Sequence, residues 1–189
     1  MKIPATIAIV LLAFSSLVAA DRPKPPAGFR WRDFPEVYCA LQVPVDWHAQ
    51  AKSAGLTKII VVSPEKSAEQ GFDTGFTMQS VYCKSSQDWK EAMEKSGSLM
   101  KAARDAIEKP IVSKIDRTDD MLYMVVEGVR KVPGAKQPDR LYHVRNVVRA
   151  FPKNRIVYVY SFGALAEDWD SAWTKGQVVF GAIEFALPE

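Results

Sequence analysis

Residues 111–162 read IVSKIDRTDDMLYMVVEGVRKVPGAKQPDRLYHVRNVVRAFPKNRIVYVYSF, a stretch whose pattern predicts four β-strands. Apolar and polar side chains alternate within four runs of β-branched and aromatic residues, a period of two that is typical of β-strands. The predicted strands cover residues 111–116, 121–129, 140–150 and 154–162. Their connections are too short to hold a crossover helix, so neighbouring strands are expected to run antiparallel.

The sequence before this stretch predicts three more strands. Apolar side chains occupy every second position from Val37 to Val43, and Pro44 ends that run. Lys58–Val62 and Gly75–Cys83 are further short runs bounded by turn residues. The sheet is therefore expected to be mainly antiparallel, with all its strands in one unit.

Two helices are predicted to flank the sheet. Ser85, followed three residues later by Asp88, is typical of a helix N-terminus, and apolar residues then recur at helical spacing as far as Ile107. A second helix opens at the acidic residues 167–170, which complement its dipole. The prediction is a single α+β domain over residues 34–189.

Residues 1–20 have the pattern of a cleaved signal peptide. Lys2 gives a positive start, an apolar run follows from Ile7 to Val18, and Ala19-Ala20 precede the charged Asp21. An apolar run of this length spans ~18 Å, short of the ~30 Å hydrocarbon core of a membrane. We expect export to a periplasmic or secreted location, with no membrane-spanning segment in the mature chain.

Residues 21–33, DRPKPPAGFRWRD, form a proline-rich basic leader. Its prolines exclude a helix and favour an extended chain. Phe29 and Trp31 lie among basic residues. The leader is therefore either an arm that grips a partner or a terminus whose aromatic rings fold back onto the domain.

Composition excludes several classes of protein. Hydrophobic residues make up 48% of the chain and charged residues 25%, the mix of a folded domain, which excludes disordered and collagen-like chains. The formal net charge is only +3, too small to indicate a nucleic-acid-binding protein.

No motif predicts catalysis, a metal or a cofactor. The Gly-x-Ser-x-Gly elbow, the P-loop and the dinucleotide-binding glycine pattern are missing from the sequence. The two histidines, His48 and His143, belong to no metal-ligand spacing. We therefore predict that the protein is not an enzyme and needs no cofactor.

Cys39 and Cys83 are predicted to form a disulfide. Both lie on predicted strands, and an exported chain meets an oxidising compartment. Closing the loop between them would contribute about 4 kcal/mol of stability. The alternative is two buried free thiols that pack as small apolar groups.

The long hairpin of the quoted stretch is the predicted partner-binding surface. Near its tip Asp139 is the one acidic residue among several basic ones, and on the return strand the basic residues alternate with apolar ones. The predicted binding residues are Arg130, Lys131, Lys136, Arg140, Arg145 and Arg149, with His143 on the same strand face as the last two. Such a surface suits an acidic envelope protein or an anionic lipid. The alternative is a solvated edge whose charges deter strand pairing.

The order of these elements resembles the PsbP-like superfamily, which includes the extrinsic accessory subunit of photosystem II and non-photosynthetic bacterial relatives. The shared features are the strand ending in Pro44-Val45-Asp46-Trp47, Ser63-Pro64-Glu65, the mid-chain helix, the long hairpin, the tryptophan-bearing last helix and Ile183-Glu184-Phe185. The resemblance covers residues 34–187 and implies an α/β/α sandwich that serves as an accessory or adaptor surface. No histidine or carboxylate pattern matches, so no binding residue of the family is carried over.

Two other functions stay open from the sequence. One is a small-ligand binder with an apolar pocket between sheet and helix, lined by Trp89, Met93, Trp169 or Trp173. The other is an envelope hydrolase whose site is assembled in space. The sequence does not determine the partner's identity or the oligomeric state.

Overall fold

The computed structural model of this protein describes residues 22–54, 57–65, 73–131 and 140–187. The predicted signal peptide and Lys136 therefore lie outside the described residues. The described strands are β1 (Phe29–Phe34), β2 (Cys39–Pro44), β3 (His48–Ala54), β4 (Thr57–Ser63), β5 (Gly75–Tyr82), β6 (Lys109–Arg117), β7 (Leu122–Lys131), β8 (Leu141–Phe151), β9 (Ile156–Leu165) and β10 (Glu184–Phe185). The helices are α1 (Ser86–Asp105) and α2 (Trp169–Gly181), with short 3-10 turns at Pro35–Val37 and Ala166–Asp168.

Seven strands form one sheet in the order β3-β4-β5-β9-β8-β7-β6. Every neighbouring pair in it is antiparallel. The quoted stretch supplies β6 to β9, so its alternating pattern and short connections account for the larger part of the sheet. The predicted mainly antiparallel α+β fold is confirmed.

One strand was missed by the sequence analysis. β3 pairs with β4 along its whole length, from His48 opposite Ser63 to Ala54 opposite Thr57. Its sequence, HAQAKSA, carries no β-branched residue and so gave no strand signal. It lies at the edge of the sheet, where a polar strand needs only one partner.

Three of the described strands form a second, small sheet in the order β1-β2-β10, which shares no strand with the large sheet. The strand predicted from Val37 starts too early: Val37 ends a 3-10 turn, Tyr38 has a positive φ of 52°, and β2 begins at Cys39. Val37 is buried although it lies in the turn. Its apolar side chain therefore continued the alternating pattern of the strand that follows.

The leader folds back onto the domain, the second of the two alternatives. Its last residues form β1 against β2. Arg22 bonds to Asp33 and Glu184, each at 2.7 Å, and the Trp31 indole donates to the Pro23 carbonyl at 2.9 Å. The boundary drawn at residue 33 therefore falls inside a strand.

Helix α1 begins where the sequence predicts. The Ser85 hydroxyl accepts from the Asp88 N–H, and the Asp88 carboxylate accepts from the Ser85 N–H, which completes a capping box. Such a cap is worth about 1 kcal/mol. The helix ends at Asp105, earlier than predicted, although Ile107 is buried just beyond it.

The two faces of the large sheet carry two apolar clusters. α1 covers one face, where the packed residues include Ala92, Met100, Val148 and Val157. The small sheet and α2 cover the other face, where Leu41 of β2 and Val179 of α2 belong to one cluster with Tyr158 and Phe162 of β9. The result is the three-layer α/β/α sandwich expected from the resemblance.

Two helix glycines give a matched test of this packing. A Cβ on Gly176 would lie 2.8 Å from the Trp173 ring and 2.9 Å from the Phe162 ring, whereas nothing lies within 4 Å of a Cβ on Gly97. We expect Gly176→Ala to destabilise the fold by about 1–3 kcal/mol through overpacking. Gly97→Ala should stabilise it by up to about 1 kcal/mol through helix propensity. Urea denaturation measures both, and equal effects would contradict the packing of α2.

Candidate functional site

The residues predicted to bind a partner divide between the two faces of the β7–β8 ladder. The ladder pairs Arg130 with Tyr142, Glu127 with Arg145 and Tyr123 with Arg149. Because side chains alternate along a strand, His143, Arg145 and Arg149 lie on the face that α2 and the small sheet cover, and Arg130 lies on the α1 face. They therefore do not form a single open surface.

Arg145 is engaged in a buried polar cluster. The Glu127 carboxylate accepts from Arg145 Nη1 through Oε2, and its Oε1 lies 3.1 Å from His143 Nε2. Glu127 and His143 are each 8% exposed. Burying one carboxylate between a cation and an imidazole compensates part of the desolvation of all three groups.

Aromatic rings close this cluster on the side of α2. The Trp169 ring stacks on His143 with 3.6 Å between ring centroids, and Trp173 stacks on Trp169 at 5.1 Å. The Arg145 guanidinium lies 5.5 Å from the Trp173 ring centre. Arg145 is therefore held by an anion and a ring within the protein, contacts that compete with binding to a partner.

Burial lowers the pKa of His143 below its ordinary value. Desolvation is the largest cause, and it outweighs the opposing effects of the Glu127 and Asp170 carboxylates. The neutral imidazole is thus the favoured form in the fold, able to donate to Glu127 from Nε2.

Arg149 is also directed inward. Its guanidinium lies 5.5 Å from the Tyr123 ring centre and 5.1 Å from that of Phe185. These contacts place it under the small sheet, so its side chain joins two layers of the sandwich. It too is poorly placed for a partner.

The end of the β7–β8 hairpin next to its connecting loop holds the remaining predicted residues that the structure describes. Arg130 and Lys131 end β7, and Arg140 directly precedes β8. Arg140 Nη1 bonds to Asp73 at 3.1 Å, and Asp73 also accepts from the Tyr142 hydroxyl at 2.7 Å. We name Arg130, Lys131 and Arg140 the basic corner.

Within the basic corner two cations have no salt bridge in the part of the chain that the structure describes. They are Arg130 and the exposed Lys131. The Nε of Arg130 is buried and lacks a hydrogen-bond partner there. Among the described residues, Asp73 beside Arg140 is the one carboxylate that forms a salt bridge with the basic corner.

The predicted disulfide is not formed. Cys39 and Cys83 are both free and buried. Cys39 belongs to the cluster under α2 and Cys83 to the cluster under α1, so the large sheet lies between them. The Cys39 thiol contacts the Met78 sulfur at 3.7 Å, and both cysteines pack as small apolar groups, the alternative left open by the sequence.

The tryptophans predicted to line one pocket also belong to opposite faces. Trp169 and Trp173 pack in the stack described above, whereas Trp89 and Met93 lie on the α1 side. A surface cleft of about 310 Å³ at the start of α1 is lined by Trp89, Met93, Arg117, Thr118, Leu122 and Pro152. Two of the four residues predicted to line a pocket, Trp89 and Met93, therefore do line a cleft, and Arg117 lines it with them.

Glu127 was not predicted from the sequence as a partner of His143. One signal was present, because Glu127 occupies an inward position in the apolar run MVVEGV, where an acidic side chain needs a partner. Among the described residues, no group of three or more His, Cys, Asp or Glu side chains is arranged to hold a metal ion. No described helix is long and apolar enough to span a membrane.

Layer order, strand order and helix placement together define this chain as an α+β sandwich with a PsbP-like fold. The solution structure of cyanobacterial PsbP (CyanoP) from Synechocystis sp. PCC 6803 is similar with a TM-score of 0.53 and 13% identity, over 89% of this chain and 98% of that one. This likeness confirms the predicted fold. Neither a protein family nor a curated protein matches the sequence.

Two further solved structures are less similar. One is a protein from Bacteroides thetaiotaomicron, with a TM-score of 0.47 and 9% identity over 84% of this chain and 48% of that one. The other is the Ran-binding protein Mog1p of Saccharomyces cerevisiae, with a TM-score of 0.44 and 9% identity over 84% and 95% of the two chains.

The buried histidine predicts a pH-dependent stability. Because its folded pKa is lowered, the unfolded chain takes up the His143 proton first as the pH falls through about 6.5, and the fold loses stability there. The difference in the free energy of unfolding between wild type and His143→Gln should therefore shrink from pH 8 toward pH 5. Urea denaturation at each pH measures it. An NMR titration midpoint for His143 above its ordinary value would contradict this.

The two buried thiols give a second testable prediction. Burial raises the pKa of the Cys39 thiol to about 12 and also raises that of Cys83, so both should resist alkylation in the native protein. Unfolding without reductant should expose two reactive thiols per chain, counted by mass spectrometry after iodoacetamide treatment. A count of zero would establish the disulfide instead.

Proposed function

We propose that this chain is an exported, non-enzymatic binding protein of the cell envelope that holds an acidic protein partner at its basic corner. The observation that carries the proposal is the position of Arg130 and Lys131. They are consecutive residues at the end of a paired strand, so their side chains point to its two faces, and neither forms a salt bridge in the described part of the chain. Cations left without a carboxylate at a strand end favour an acidic partner.

Binding is favoured over catalysis by how two carboxylates are used, one on the buried Glu127 and one on the exposed Asp73. Glu127 is shared between His143 and Arg145, and Trp169 covers the imidazole. Asp73 is shared between Arg140 and Tyr142. These carboxylates are occupied in holding the fold, whereas an acid–base catalyst needs a group that reaches the substrate.

Export is supported by residues 1–20, whose charged start, apolar run and small residues before Asp21 suit a signal peptide. A basic corner would then meet partners in the envelope.

The cleft beside Trp89 supports a second candidate function, the binding of a small ligand. Its lining is mainly apolar, with Arg117 as the charged residue, so the ligand class would be a small amphipathic anion. Trp89 and Met93 are the residues of the predicted pocket that line it. We place this function second, because the cleft is open to solvent and would enclose only part of a ligand.

Charge reversal tests the first proposal. The tagged protein carrying Arg130→Glu and Lys131→Glu should lose its crosslinked partner from native envelopes, while the wild type retains it. The control carries Lys90→Glu and Lys95→Glu, which makes the same change in net charge at exposed positions of α1. Binding of the purified partner to wild type should also weaken with added salt, because exposed charges are screened.

Equal capture by the wild type and both variants would overturn the basic corner as the contact surface. Loss of the partner in the control as well would indicate an effect of net charge alone.

A further inference from the structure

The outer edge of β6 is an exposed strand that no other described strand covers. β6 is the last strand of the large sheet and pairs only with β7 there. Ile111 is 62% exposed and Ile115 is 70% exposed, the two highest values among the large apolar side chains described. A free edge of this length is a template for pairing with another strand.

The two halves of β6 differ in how they resist such pairing. The first half contains Lys109, Pro110, which has no N–H, and a break in register between Pro110 and Val112. These are devices that proteins use to block an edge. The second half, residues 113–117, has no proline and no register break. It is therefore the part of the edge able to accept a partner strand.

The charged side chains of this second half are complementary to those of an identical strand running antiparallel to it. Lys114 and Asp116 flank Ile115, project to the same face and form an exposed salt bridge of 2.6 Å within the strand. An antiparallel pairing with a two-fold axis at Ile115 would place each Lys114 directly opposite Asp116 of a second copy. Opposite charges in directly opposed positions stabilise a strand pair, and like charges destabilise it.

Neighbouring registers are less favourable by the same rule. An axis at Lys114 or at Asp116 would oppose that residue to itself, placing like charges together. An axis at Ser113 would oppose Lys109 to Arg117 and bring Pro110 into the ladder. Among the four positions compared, Ile115 is the one that pairs opposite charges and keeps proline outside.

We propose that residues 113–117 of β6 pair with the same segment of a second copy of this chain, joining two large sheets across a two-fold axis at Ile115. The interface is isologous, as expected of a symmetric dimer. Arg130 and Lys131 lie toward the opposite end of the β6–β7 ladder, near Lys109, so the dimer leaves the basic corner open. A five-residue pairing buries less than a standard interface of about 1,600 Å², so the dimer is expected to form only at micromolar or higher concentration.

Two complementary charge variants test the proposal. Lys114→Asp gives a copy with two acidic residues around Ile115, and Asp116→Lys gives a copy with two basic ones. Each variant alone should be monomeric, because like charges oppose each other across the axis. An equimolar mixture should form a heterodimer, since every opposed pair is then acid against base. Native mass spectrometry separates the species, and sedimentation velocity follows the wild-type dimer up to about 500 μM.

The mixture separates the dimer from a simple effect on the monomer. Neither variant restores the salt bridge within its own strand, so recovery on mixing requires contact between copies. Ile115→Lys, at the most exposed apolar position of the strand, is a second variant expected to be monomeric. Circular dichroism confirms that each variant is folded. A wild type that stays monomeric throughout, variants that dimerise like the wild type, or a mixture without heterodimer would each overturn the proposal.

Discussion

The structure depends on two strands that are buried on both faces. Val147 and Val148 in β8 are both 0% exposed, and in β9 the neighbouring Val157 and Tyr158 are 1% and 0% exposed. Because successive side chains point to opposite faces, each strand needs an apolar layer on either side. α1 supplies one layer, and α2 with the small sheet supplies the other. The three-layer order follows from this requirement.

The same requirement explains where charged groups are found. Glu127, His143 and Arg145 occupy inward positions on β7 and β8, and they are tolerated because each contacts another polar or aromatic group. Removing Glu127 or Arg145 would leave the other charge without its partner in a partly buried site, which is destabilising. The polar groups at the centre of the sheet thus stabilise the fold. Exposed cations, such as Lys131, lie at strand ends instead.

The fold was largely predictable, and the site was predictable only in part. Two-residue alternation predicted β6 to β9 because these strands are rich in branched apolar residues. It missed β3, which is short of such residues, and it could not show that Cys39 and Cys83 lie on opposite sides of the sheet. The sequence also could not show that Glu127 faces Arg145, since the ladder register depends on a hairpin of many residues. The charge pattern identified the basic hairpin. Only the structure showed which of its cations point inward and are bound by other groups of the protein.

The small sheet brings distant parts of the chain together. β2 lies between β1 and β10, and Arg22 bonds to Glu184 across 162 positions. Contacts of such separation form slowly, because a long loop must close before they contribute. The large sheet is assembled mostly from hairpins, so it has a local route to its structure. One layer of the sandwich therefore stays incomplete until residues 184 and 185 are free to pair with β2, so folding cannot be completed on the earlier part of the chain alone.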